Sequence, residues 1–183
     1  PLERKTASPG KTLPATSGYR PNSQARDLYR QAMKAISERQ YETADKLLRQ
    51  AIEADPKYPD PHINLGALLI QEKKYAEAEK CLRQALELDP KSYHTLLNLG
   101  IALIRQERYA DAIPHLREAL RLQPDSAPAN LHLGYALLET AQFEEAEPSL
   151  QRAVKGGGSE EILGQLYLGQ LYAQTKKYEQ SIA

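Results

Sequence analysis

The chain has 183 residues, 24 Lys and Arg against 24 Asp and Glu, and a hydrophobic share of 41%. That length allows one or two domains with a sizeable core, and the balanced charge, with a pI near 7.4, excludes bulk attraction to nucleic acid or anionic lipid. The longest apolar runs, such as 65–70, are too short to span a bilayer, and the single cysteine excludes an internal disulfide and a Cys-rich zinc site.

Residues 1–24 contain four Pro, two Gly, four positive charges and one negative. No helical or strand period runs through them, and they hold too little apolar surface to offset the entropy of ordering. They are expected to be an extended tail or linker, free unless docked in a groove. The start at Pro1 and a final Ala183 inside a helical pattern read as the ends of a piece of a longer protein.

From residue 25 the chain repeats at a 34-residue step: 25–58, 59–92, 93–126, 127–160 and, after one extra residue, a partial unit over 162–183. Position 8 of each unit reads Ala32, Gly66, Gly100, Gly134 and Gly169. Position 7 reads Gln31, Leu65, Leu99, Leu133 and Leu168. Position 17 is aromatic throughout, with Tyr41, Tyr75, Tyr109, Phe143 and Tyr178. Small and apolar residues recur at 20 (Ala44, Ala78, Ala112, Ala146), at 24 (Leu48, Leu82, Leu116, Leu150) and at 27 (Ala51, Ala85, Ala119, Ala153).

Those columns predict two packed helices per unit. Positions 7, 8 and 11 share one helical face, and 20, 24, 27 and 28 share another. Gly at 8 and Ala at 20 and 27 mark a close approach of two backbones. The aromatic at 17 belongs to the turn between the helices, and Asp-Pro at 55–56 and 89–90 ends the second helix. Pro114 and Pro148 are placed early in second helices, where a missing N–H costs little. Gly156–Gly158 reads as a permissive joint before the fifth unit, with Ser159 as the cap of its first helix. The fold class is all-α.

The pattern resembles the tetratricopeptide repeat family over residues 25–183. It departs from the family at position 4, where the usual aromatic gives way to Leu28, His62, Leu96 and Asn130. Gln31-Ala32 also replaces Leu-Gly in the first unit. The resemblance implies a right-handed superhelix, an α-solenoid, with the first helix of each unit on the concave wall. Positions 2, 6, 9 and 13 then face the groove, which makes Arg30, Asn64, His94, Asn98, Arg105, His132 and Tyr135 the candidate peptide-binding residues. Side-chain amides offer a donor and an acceptor together, so Asn64 and Asn98 are suited to the backbone of an extended peptide. Ile63, Ile70, Leu97, Ile101, Ile104, Leu131, Tyr135 and Leu138 are expected to pack mostly between successive first helices. The family's clamp for a C-terminal carboxylate needs Lys and Asn at positions 5 and 9 of the first unit. Tyr29 and Met33 stand there, which argues against that ligand.

No catalytic, metal or cofactor site is expected. The four histidines, His62, His94, His115 and His132, show no ligand spacing with a carboxylate. Gly10-Lys11-Thr12 lacks the earlier glycine of a phosphate loop, since residue 5 is Lys5. The mixed groove charges, Arg30 and Arg105 against Asp60 and Glu139, argue against nucleic acid. Two functions fit: a non-catalytic scaffold that holds a protein or peptide segment in its groove, and a structural or self-assembly arm of a larger protein. For the second, Leu168 and Leu171 are expected to be partly uncovered at an open repeat end, a surface for homodimerisation.

Overall fold

A computed structural model describes residues 19–175, which form nine helices and no strand among the described residues. They alternate as first and second helices of stacked hairpins. The first helices are α1 (Ser23–Ser37), α3 (Pro59–Gln71), α5 (Tyr93–Ile104), α7 (Ala127–Glu139) and α9 (Gly158–Gln174). The second helices are α2 (Tyr41–Ala54), α4 (Tyr75–Leu88), α6 (Tyr109–Leu122) and α8 (Phe143–Lys155), each opening on the aromatic of position 17.

The core is one continuous seam. Leu48, Leu82, Leu116 and Leu150 of the second helices are fully buried, as are Ala44, Ala78, Ala112 and Ala146 beside them. A methyl group on Gly66, Gly100 or Gly134 would stand 2.5–2.6 Å from Leu82, Leu116 or Leu150 respectively. The small residues at these positions are therefore set by the approach of the paired helices, and burial of the leucines holds each pair together.

Four of the hairpin turns share one device. Arg39, Lys73, Glu107 and Ala141 adopt φ of 58–61°, and the next N–H closes a 6→1 bond, as from Gln40 to the Ala35 carbonyl at 2.8 Å. This is a Schellman cap, a place that glycine normally fills. Between hairpins, Asn22, Ser92 and Ser126 accept from backbone N–H groups three residues on and start α1, α5 and α7. Residues 19–22, assigned above to the tail, are tied down: Tyr19 donates to Asp55 Oδ1 and the Asn22 N–H to Asp55 Oδ2, both at 2.9 Å. The rest of the expected tail, 1–18, lies outside the described residues.

Two expectations need correction. Pro114 and Pro148 stand at the sixth residue of α6 and α8, past the first turn. Both prolines are exposed, so the carbonyls they leave unpaired can turn to water. Ser159 caps nothing: α9 begins at Gly158, and the Ser159 hydroxyl donates to Glu160 instead. The glycine run uses the permissive backbone expected of it, as a tight turn. Gly157 and Gly158 have φ of 74° and 72°, and a methyl on Gly156 would meet Ala127 Cβ at 2.3 Å. Each of the three positions has its own steric reason for glycine.

First helices touch one another along the stack, α3 with α5, α5 with α7 and α7 with α9, while second helices reach mainly the first helices on either side. A stack closed on one side and splayed on the other is curved. The first helices therefore line its concave wall, and the second helices its convex one.

Candidate functional site

The apolar residues between first helices behave as packing. Leu97, Ile104, Leu131 and Leu138 are buried, while Ile63, Ile70, Ile101 and Tyr135 are half-buried along the wall. The wall is therefore rigid backbone carrying a row of polar and aromatic groups.

The seven candidates divide in two along it. In the first half, Arg30 is exposed and paired with Asp27 on its own helix. Asn64 is already engaged: its amide donates to the Tyr29 hydroxyl and to the Asp60 carbonyl, both at 2.9 Å. Both of its N–H groups are used inside the protein, so only its carbonyl is left for a ligand. Tyr29 in turn meets Tyr58 edge-on at 5.3 Å, and burial followed by the nearby Asp60 carboxylate pushes its phenol above the ordinary tyrosine range.

The second half is more open to a ligand. Asn98 is half-buried and makes no hydrogen bond to a described residue, and Arg105, the exposed last cap of α5, forms no ion pair with one. His94 lies edge-on to Tyr93 at 5.1 Å, and burial lowers its basicity. His132 is driven further: burial first, and then the positive charge of Arg105, push it down to about 4, against a smaller opposing pull from Glu160. It is a neutral ring at physiological pH. Tyr135 stacks on Tyr167, with centroids 4.6 Å apart and planes at 21°, and receives Tyr109 edge-on at 5.7 Å. Glu139, one turn beyond Tyr135, accepts from Gln170 at 3.5 Å.

The structure thus gathers Arg105, His132 and Tyr135 into one neighbourhood and leaves Arg30 and Asn64 in another. Tyr167 and Tyr109 complete the first group and are absent from the seven. Tyr167 shares position 6 with Asn64, Asn98 and His132, so its register carries the signal. Tyr109 sits in the turn column, and nothing in its spacing shows that its ring reaches the next hairpin.

Among the described residues, no three His, Cys, Asp or Glu side chains are grouped to hold a metal ion. Nor, among them, is any helix long and apolar enough to cross a membrane. At the far end of the stack, Leu168 is half-buried as expected, whereas Leu171, expected to be partly uncovered, is only 1% exposed. The uncovered apolar groups of α9 are Ile162, Leu163 and Leu166, the first 71% exposed. Gly164 packs against Val154 and Leu150 of α8 and Leu171 is buried, so Ile162, Leu163 and Leu166 are left on the outward side of α9.

Comparison with known proteins agrees with the architecture. MamA from Desulfovibrio magneticus RS-1, in a form from residue 41 to its end, is 22% identical and superposes with a TM-score of 0.80, over 88% of this chain and 90% of its own. YrrB, described as a tetratricopeptide repeat protein with an unusual peptide-binding site, is 20% identical with a TM-score of 0.76, over 86% and 80%. PilF of Pseudomonas aeruginosa is 22% identical with a TM-score of 0.74, over 87% and 72%. No curated protein matches the sequence. Family profiles described as tetratricopeptide repeat match residues 35–100, 97–162 and 131–183. With the 34-residue register and the stacked hairpins, these matches show that the chain belongs to the tetratricopeptide repeat family, whose fold is a protein–protein interaction scaffold.

Proposed function

We propose that the protein is a non-catalytic scaffold that holds an extended peptide segment of a protein partner against the second half of its concave wall. The observation that carries this reading is that one half of the wall holds Asn98 and Arg105, neither engaged by a described residue, together with the Tyr135–Tyr167 stack, whose Tyr167 lies within reach of the Arg105 charge. An amide with free donor and acceptor suits a peptide backbone, a guanidinium suits an acidic side chain, and stacked phenols supply apolar area with polar edges. YrrB, similar in fold, is described as carrying a peptide-binding site. The partner is a protein or peptide and not nucleic acid, because the wall mixes Arg30 and Arg105 with Asp60 and Glu139 instead of carrying a continuous basic track. The test is a pull-down from source extract with wild type, Asn98→Ala/Arg105→Ala and Asn64→Ala. Loss of one specific protein in the double variant, with retention by Asn64→Ala, is expected. Equal retention by the double variant would sink the groove assignment.

A second reading rests on a different observation, the exposure of Ile162, Leu163 and Leu166 along α9. In it the protein forms a homodimer, or joins a larger assembly, through that face. Light scattering at high concentration should then report a dimer that Leu166→Glu dissolves, and a monomer at all concentrations would refute it. Leu171 is the wrong residue for that test, since its substitution would open the core.

A further inference from the structure

Helix α9 is apolar on two opposite sides. Gly164 and Leu171 are buried against the stack, and the side turned away from it carries Ile162 and Leu166, 71% and 63% exposed. A surface helix ordinarily shows one apolar side, and a second one belongs where a second neighbour covers it. The outward stripe continues past Leu166 through Gly169 and Ala173. Steps of four, three and four residues keep these four positions on one line along a helix. Ala173 is exposed, and a methyl added to Gly169 would meet no described atom within 4 Å. From its N-terminal end the stripe therefore reads large, large, small, small.

What covers the stripe follows from its charge and its order. The charged residues of α9 are Glu160 and Glu161, both in its first turn, so an ionic partner finds nothing to pair with along the four positions. Recognition is left to size. The same stripe run backwards reads small, small, large, large. Laid antiparallel about the point between Tyr167 and Leu168, Ile162 falls opposite Ala173 and Leu166 opposite Gly169. Each bulky side chain then meets a position with room for it, as close packing requires. A parallel pair would crowd Ile162 on Ile162 and leave a gap between the two glycines.

We infer that the partner of this face is a second copy of the chain, its α9 antiparallel to the first, with Ile162 of each copy seated on Ala173 of the other and Leu166 on Gly169. The pairing gives the homodimer of the second reading above, on which it rests, a direction and a register. A two-fold contact of this kind is closed and stops at two copies. Leu163, 40% exposed beside the stripe, widens it. The 17 residues of α9 make a rod about 26 Å long and about 10 Å across, so two of them cover roughly 500 Å² in total, below the roughly 1,200 Å² of a lasting interface. The dimer is therefore transient, with a dissociation constant on the order of 0.1 mM.

The experiment is disulfide trapping in the full 183-residue chain. Cys81, its sole thiol, is replaced by Ser, and Ile162→Cys and Ala173→Cys are made on separate chains. Both positions are exposed, so neither change opens the core. Antiparallel pairing brings residue 162 of one chain to residue 173 of the other and leaves like positions about 16 Å apart, beyond the roughly 7 Å between Cα atoms that a disulfide can bridge. An equal mixture near 0.1 mM should form the mixed disulfide about tenfold faster than either chain links to itself. Gly169→Leu, which fills the small half, should weaken the dimer seen by light scattering about tenfold or more. Self-linking of Ile162→Cys as fast as the mixture, absence of the mixed disulfide, or a folded Gly169→Leu variant that dimerises as wild type does overturns the antiparallel register. If wild type still scatters as a dimer in any of those cases, the homodimer itself stands. A wild-type monomer up to about 1 mM overturns both and gives the stripe to a different protein.

Discussion

Gly100 and Gly169 occupy the same repeat position and should respond to the same substitution with opposite signs. In an exposed helix interior, Gly→Ala gains about 1 kcal/mol. At Gly100 the new methyl would stand 2.6 Å from both Cγ and Cδ2 of Leu116, which is fully buried. Carbon atoms rest comfortably at about 3.5–4.0 Å, so the neighbour must yield by about 1 Å where no space exists. Overpacking of that kind costs about 1–3 kcal/mol, sometimes more. Because Leu116 has no space to move into, the cost falls in the upper part of that range, about 2–3 kcal/mol, and the balance is a net loss of about 1–2 kcal/mol for Gly100→Ala. Gly169 has no described atom within 4 Å of the added carbon, and there the helix gain of up to about 1 kcal/mol survives. Urea unfolding followed by circular dichroism should separate the two midpoints by about 1 M, taking a slope of about 1–3 kcal/mol/M. Slopes are compared first, because repeat stacks lose two-state behaviour as they lengthen. A double-mutant cycle closes the argument. In a Leu116→Ala background the clash is gone, so the Gly100→Ala loss should vanish or reverse. A Gly100→Ala variant as stable as wild type at unchanged slope would refute the close-approach account of the glycine column. Equal losses at both sites would mean that the Gly169 face of α9 is covered as the earlier ones are.

Further outcomes follow from the turns, the N-terminal strap and the histidines. Replacing Lys73, Glu107 or Ala141 by Gly should relieve a left-handed backbone that costs about 1–2 kcal/mol, against about 0.5–1 kcal/mol of added unfolded-state entropy, for a gain of up to about 1 kcal/mol per turn; a loss at all three would remove the Schellman assignment. Asp55→Ala removes acceptors for Tyr19, Asn22 and Lys57 and should cost about 1–3 kcal/mol, with faster amide exchange at 19–22 and little change at α9. His132 is held near 4 by burial and by Arg105, below the ordinary value of about 6.5. The unfolded chain therefore binds the proton first: stability is full above about pH 6.5 and falls as the pH drops toward 4. His132→Phe should remove about 1–2 kcal/mol of the loss between pH 7 and 5 in thermal melts. His62, His94 and His115 are shifted the same way by desolvation, so a smaller slope should remain, and a flat wild-type profile would contradict the desolvation of these rings.

Much of this molecule is local, and what is local is legible. A first helix at Pro59, Tyr93 or Ala127 and a second at Tyr75, Tyr109 or Phe143 follow from columns 34 residues apart, because each hairpin pairs elements adjacent in the chain. The paired leucines and glycines are readable for the same reason: Gly100 and Leu116 lie in one hairpin and meet wherever it stands in the stack. What spacing does not carry is contact between hairpins and backbone conformation without a marker residue. Arg39, Lys73, Glu107 and Ala141 take a glycine's conformation without being glycine, so the cap is silent until the dihedral is seen. Asn64 spends its amide on Tyr29, 35 residues away, and Tyr135 gains its stack from a helix that begins at Gly158, earlier than the repeat register places it. Sequence alone determined the family, the helices and the wall on which a ligand site would stand. Only the tertiary structure decided which groups on that wall are free, because freedom depends on neighbours that the stacking of hairpins brings together.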